Sequence, residues 1–179
     1  MRKMYLFLFV LILFILQYSI LGVFFRSGRI PNLFVALTVS LAIIFGFEKS
    51  LGWTVLAGFF LDVGSSWLIG SGILALVVIL WLIDKMKAIA ELRSKRYLFA
   101  VLLFFTAGIS SVVFDALMGI IFKTEGFFSL SISASHSFPS LGADYALKTV
   151  YTAASVIPVY FFARKIPKRS EIFLARNKR

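Results

Sequence analysis

The sequence predicts an all-α integral membrane protein of six transmembrane helices with both termini cytoplasmic, and three observations predict it. Sixty per cent of the residues are hydrophobic, 17% are aromatic and the mean hydropathy is +0.96, well above soluble-domain usage. The apolar residues fall in long runs that fit a bilayer core. The Lys and Arg residues cluster between those runs on what six spans would make one side of the membrane.

The elements follow in order. Residues 4–25 form a first helix after Arg2 and Lys3; the run is too long for a signal peptide and no small-x-small cleavage site follows it. Arg26 to Arg29 turn the chain, and Pro31 suits the first position of a second helix over 32–47. Glu48 and Lys49 supply the next tight turn. From Leu51 to Ile83 the chain is apolar except around Asp62 to Ser66, so this stretch is either one long helix or a hairpin of two. Counting charge decides. With two helices, 51–66 and 67–83, the cytoplasmic side holds 15 of the 19 Lys and Arg and the outer side 4; with one, the split is 5 and 14. Positive charge in short loops marks the cytoplasmic side, so the Gly64-Ser65-Ser66-Trp67 segment turns the chain. A charged loop, a helix over 97–122, a Ser-rich outer loop over 123–144, a last helix over 146–163 and a basic cytoplasmic tail over 164–179 complete a single domain.

The composition excludes several function classes. Cysteine is absent and His136 is the one histidine, which removes disulfides, thiolate nucleophiles and Cys/His zinc sites. A net charge of +11 accords with membrane topology, because the cations lie between apolar runs, and no nucleic-acid partner is expected. Neither a catalytic residue nor a cofactor or metal site is read from the chain. A Ser–His pairing of Gly70-Ser71-Gly72 with His136 is set aside, since His136 falls in the outer loop.

The candidate functional residues are polar groups within the spans. Asp62 closes Gly58-Phe59-Phe60-Leu61-Asp62, and Asp115 closes the similar Ser111-Val112-Val113-Phe114-Asp115. A carboxylate at bilayer depth usually faces a bundle interior or a wet cavity. Both are read first as interhelical hydrogen-bond partners, with an acid–base dyad or ion relay as the sharper reading. Helix 51–66 measures about 24 Å against a core of about 30 Å, so its tip stops short of outer water. Gly64, Ser65, Ser66, Gly70, Ser71 and Gly72 there would let other helices approach. Gln17 and Ser19, with Thr106, Ser110 and Ser111, read as interhelical glue, and Pro158 as a kink eased by Thr152 or Ser155. In the outer loop Phe128 to Ser135 alternates apolar and serine residues, a strand period.

Gln17, the Pro31-Asn32-Leu33 opening of the second helix, Gly58 to Asp62 followed by the Gly70 and Gly72 turn, and Val156 to Ile166 before a basic tail together resemble the rod shape-determining MreD family over nearly the whole chain. The resemblance implies a non-enzymatic, multi-pass component of the bacterial cytoplasmic (inner) membrane, working in cell elongation and peptidoglycan synthesis. The implied partners are an MreC-like bitopic protein, the MreB cytoskeleton, RodA and a class B penicillin-binding transpeptidase, besides membrane lipids. It also implies a fold similar to the substrate-binding subunits of energy-coupling-factor vitamin transporters, and such a subunit is the alternative function. Those subunits carry small residues four apart on the first helix, whereas residues 4–18 here are bulky, which favours the morphogenesis reading.

Overall fold

The structure, a computed structural model, describes the backbone of residues 2–24, 30–64, 69–89, 96–128 and 143–176, with side chains for 4–24, 30–64, 69–85, 103–121 and 144–165. The described residues form helices and their connections, with no strand among them. Helix α1 (Arg2–Ile15) passes through a π-helical turn (Leu16–Ile20) into the short α2 (Leu21–Phe24). There follow α3 (Leu33–Phe45), α4 (Phe47–Gly64), α5 (Ser71–Ile89), α6 (Arg96–Phe128) and α7 (Ala143–Arg176). Among the described residues, three stretches are long and apolar enough to cross a membrane: Met4–Phe24, Leu103–Ile121 and Asp144–Lys165.

Helix α3 is the hub. Its residues Leu33 to Ala42 are all buried, and it packs against α4, α5, α6 and α7. Those four and α1 close a ring around it, each in contact with the next. The sequence of α3, LFVALTVSLAIIF, explains the position: a helix apolar on every side has no face to give to water or to a polar neighbour, so it takes the centre. Phe34, Leu37 and Leu41 fill the middle, against Leu76, Ile79 and Leu80 of α5 and Phe114 of α6. Helix α1 contributes a narrower stripe, Leu6, Val10, Leu13 and Gln17, at the i, i+4, i+7, i+11 spacing of one helix face. Its other faces expose Phe7, Leu8, Ile12 and Ile15, as suits a helix at the rim.

The element boundaries have local causes. α3 stops because Gly46 takes φ +76°, and its N–H donates to the Ala42 carbonyl. The turn therefore lies at Gly46, and Glu48 and Lys49 fall in the first turn of α4 instead of forming the turn themselves. Pro31 is buried one residue before the cap of α3, because Asn32 takes the cap position that starts the helix at Leu33. Ser50 Oγ donates to the Leu41 carbonyl at 2.8 Å and ties the start of α4 to α3. The break around residues 65–68 does separate two helices, α4 and α5, which pack closely together. Helix α7 is continuous through Pro158 and carries helical backbone to Arg176, into the basic segment. Phe128 ends α6; the rest of the alternating stretch, 129–135, lies outside the described residues, as does His136.

Candidate functional site

Among the described residues, three polar clusters stand inside the bundle, each built where a helix begins or where two helices need to be joined. The first surrounds the start of α3. A helix leaves four N–H groups without intrahelical partners, and inside a bundle each has to be satisfied. Here Leu33 N–H donates to Gln17 Oε1 at 2.8 Å, and Phe34 and Val35 N–H donate to Asn32 Oδ1 at 3.2 Å each. Ala36 N–H completes the turn on the Asn32 carbonyl. The Asn32 N–H itself donates to Thr152 Oγ1 of α7 at 3.0 Å, while that hydroxyl donates to the Lys148 carbonyl. Gln17 reaches the site from the π-helical turn, in which Leu21 N–H bonds to the Leu16 carbonyl five residues back. Asn32→Ala therefore deprives two buried N–H groups of their acceptor and is expected to destabilise the protein by about 2 kcal/mol, the upper end for a lost cap, as read by thermal unfolding of the purified chain.

The second cluster answers what Asp62 does at bilayer depth. Its side chain is 1% exposed, and its two oxygens accept from Gly70 N–H at 2.8 Å and Gly72 N–H at 2.7 Å. The carboxylate near the end of α4 thus holds the opening turn of α5, where free N–H groups and the helix dipole both favour a negative charge. The same device closes the other end of the pair, since Asp84, late in α5, accepts from Phe47 N–H at the start of α4 at 3.1 Å. An aspartate from each helix caps its neighbour, and this fixes the antiparallel register at both ends. The glycines provide the room. Gly70 sits at φ +110° in the turn, and a Cβ on Gly72 would meet Asp62 Oδ1 at 2.5 Å. A Cβ on Gly58 would lie 2.5 Å from Ile73 Cα, so α4 and α5 touch backbone to backbone there. Tyr18, from the π-helical turn, lays its ring over Gly64 and donates its hydroxyl to the Leu61 carbonyl at 3.0 Å.

The third cluster joins α6 to α7. Asp115 Oδ1 accepts from Lys148 Nζ at 2.7 Å, with side chains 11% and 23% exposed, and the Tyr145 phenol faces the same carboxylate. Among the described residues Asp115 Oδ2 is buried without a hydrogen bond, as are the hydroxyls of Thr38 and Thr54. Removing one member of a buried pair strands the other's charge; removing both does not. Asp115→Leu and Lys148→Met should each destabilise the protein, and the double variant clearly less than their sum, which a double-mutant cycle on unfolding will measure.

Ser65 and Ser66 lie outside the described residues; the two predicted carboxylates have separate roles. Asp62 and Asp115 do not form a dyad: the Asp62 oxygens rest on backbone N–H groups of α5, and Asp115 bonds to a lysine of α7. Ser110 and Ser111 are buried between helices while Ser19 is exposed. Ser155 donates to the Thr152 carbonyl, three residues back, beside the Pro158 turn. Sequence reading did not single out Tyr18, Asp84 or Lys148 as partners of these groups. The available signal was polar residues near apolar-run ends, where caps are needed.

Two grooves border α6, one on either side. One groove of about 360 Å³ runs between α6 and α7, lined by Phe104, Phe105, Gly108, Ile109, Val112, Val113, Thr149, Val150 and Ala153. Another, about 230 Å³, runs between α5 and α6 along Ile79, Leu82, Ile83, Thr106, Ile109, Ser110 and Val113. Ile109 and Val113 border both. Among the described residues no group of three or more His, Cys, Asp or Glu side chains could hold a metal ion. Neither a protein-family model, nor a curated protein, nor a solved structure matches this chain.

Proposed function

We propose that this chain is a multi-pass protein of the bacterial cytoplasmic (inner) membrane, with six spans and both termini cytoplasmic, which serves the cell-elongation machinery by holding partners and catalyses no reaction of its own. The observation that carries the reading is that the residues behind the MreD resemblance are the ones that hold the bundle together. Gln17 and Asn32 start the central helix, Gly58 lets α4 touch α5, and Asp62 clasps the two. Further support comes from the charge count, which places 15 of 19 cations on one side of a six-span chain. A centre filled by Phe34, Leu37 and Leu41 suits a bundle that serves as a scaffold. The partners on this reading are an MreC-like bitopic protein, the MreB cytoskeleton, RodA and a class B penicillin-binding transpeptidase.

Depletion from a rod-shaped host should make the cells widen and round, and the protein should co-purify from native membranes with the MreC-like partner. A reporter active only in the cytoplasm should work when fused after Arg179 and fail near Ser133. Cells that keep their rod shape but lose uptake of one vitamin would instead identify a transporter subunit.

A further inference from the structure

We propose that the groove between α6 and α7 is a phospholipid site, with an acyl chain along its apolar walls and the headgroup phosphate on Lys148. This does not rest on the elongation reading; it needs only that Leu103–Ile121 and Asp144–Lys165 cross the membrane. The groove extends from Phe104 to Val113 along α6, about 14 Å at 1.5 Å per residue, and so matches a stretch of acyl chain in length and chemistry. Its outer flank, Phe105, Ile109, Val112 and Val150, is exposed on the side where lipid lies. Its floor is shallow because Gly108 and Ala153 meet there, a Cβ on Gly108 standing 3.9 Å from that of Ala153.

What distinguishes this groove from an ordinary lipid-facing furrow is the charge at one end. Phe104, Gly108 and Asp115 follow the i, i+4, i+11 spacing of a single helix face, so the carboxylate stands in line with the groove. Lys148 immediately precedes Thr149 on the opposite wall. Asp115 engages one of the three ammonium donors, and the Lys148 side chain is still 23% exposed, one residue along α7 from the groove-lining Thr149. A lysine held between spanning helices next to an apolar furrow has the layout that recognises a lipid phosphate. The second groove lies beyond the Ile109 ridge, where the other chain of the same lipid fits, the two chains straddling α6.

The test is native mass spectrometry of the full chain in detergent, titrated with phosphatidylethanolamine and, separately, with diacylglycerol bearing the same acyl chains. One phosphatidylethanolamine per chain should be retained, with diacylglycerol bound about tenfold more weakly, the scale of one charge-assisted contact. Lys148→Gln should bring phosphatidylethanolamine down to the diacylglycerol level. Gly108→Leu, which fits at Cβ but fills the groove, should weaken both lipids, while Ile120→Ala on the exposed face outside it should change neither. Equal retention of the two lipids by the unaltered chain would overturn the proposal whatever the variants do. So would undiminished phosphatidylethanolamine retention by Gly108→Leu with native helicity, which would mean annular lipid only.

Discussion

Asp62→Leu is expected to lower the stability of the isolated protein by about 3 kcal/mol, because it leaves the buried N–H of Gly72 and the part-buried N–H of Gly70 without an acceptor. Each backbone donor left unsatisfied away from water costs about 1–3 kcal/mol. Asp62→Asn keeps one acceptor oxygen but turns an amide N–H₂ toward the other backbone N–H, so roughly half of the loss should return. The ordering, native above Asn above Leu, is measurable by thermal unfolding monitored by circular dichroism in one detergent. If Asn and Leu proved equally inactive in cells while unfolding at the native temperature, Asp62 would be working through its charge, and an ion-relay role would replace the clasp.

Gly58→Leu is the second substitution with a large expected effect. The added Cβ meets Ile73 at Cα and at N, atoms that move only if α4 and α5 separate. Overpacking of this kind costs about 3 kcal/mol, and separating the helices would also stretch the bonds from Asp62 to α5. Gly52 supplies the contrast on the same helix, because nothing lies within 4 Å of a Cβ built there. Gly52→Ala should stabilise by roughly 0.5–1 kcal/mol through helix propensity alone. Opposite signs from two glycines six residues apart would establish that backbone contact with α5 is what Gly58 serves.

The sequence carried the all-helical class and the division of residues 51–83, because both depend on quantities summed along the chain: apolar run length, and where the cations fall between runs. The split of residues 51–83 into two helices followed from charge alone and corresponds to α4 and α5. Partnerships between helices were harder to read. Asp84 looked like the first residue of a charged loop, yet its carboxylate closes the start of α4, 37 residues earlier. Lys148 was counted as one cation on the outer side, but it meets Asp115 across 33 residues. Such bonds depend on how each helix is rotated about its axis, which a uniformly apolar run leaves unspecified. The π-helical turn, which brings Gln17 to Leu33, depends on the same rotations. Gln17 and Asp62 were recognisable as interior groups because an amide or carboxylate at that depth has to find a partner; which partner depended on tertiary geometry.

The central position of α3 has a consequence for biogenesis. At 13 residues α3 is about 20 Å long, too short to cross a bilayer core of about 30 Å unaided. Its first amide is received by Gln17, before it in the chain, but the Asn32 amide awaits Thr152, which the ribosome adds 120 residues later. Until α7 enters, the nascent bundle keeps an open flank beside α3, with a polar N-terminus facing lipid or the insertion machinery. Synthesis and closure are thus coupled: the segment made second is sealed by the helix made last. Chains truncated before α7 should therefore be less stable than the full chain, as limited proteolysis would read.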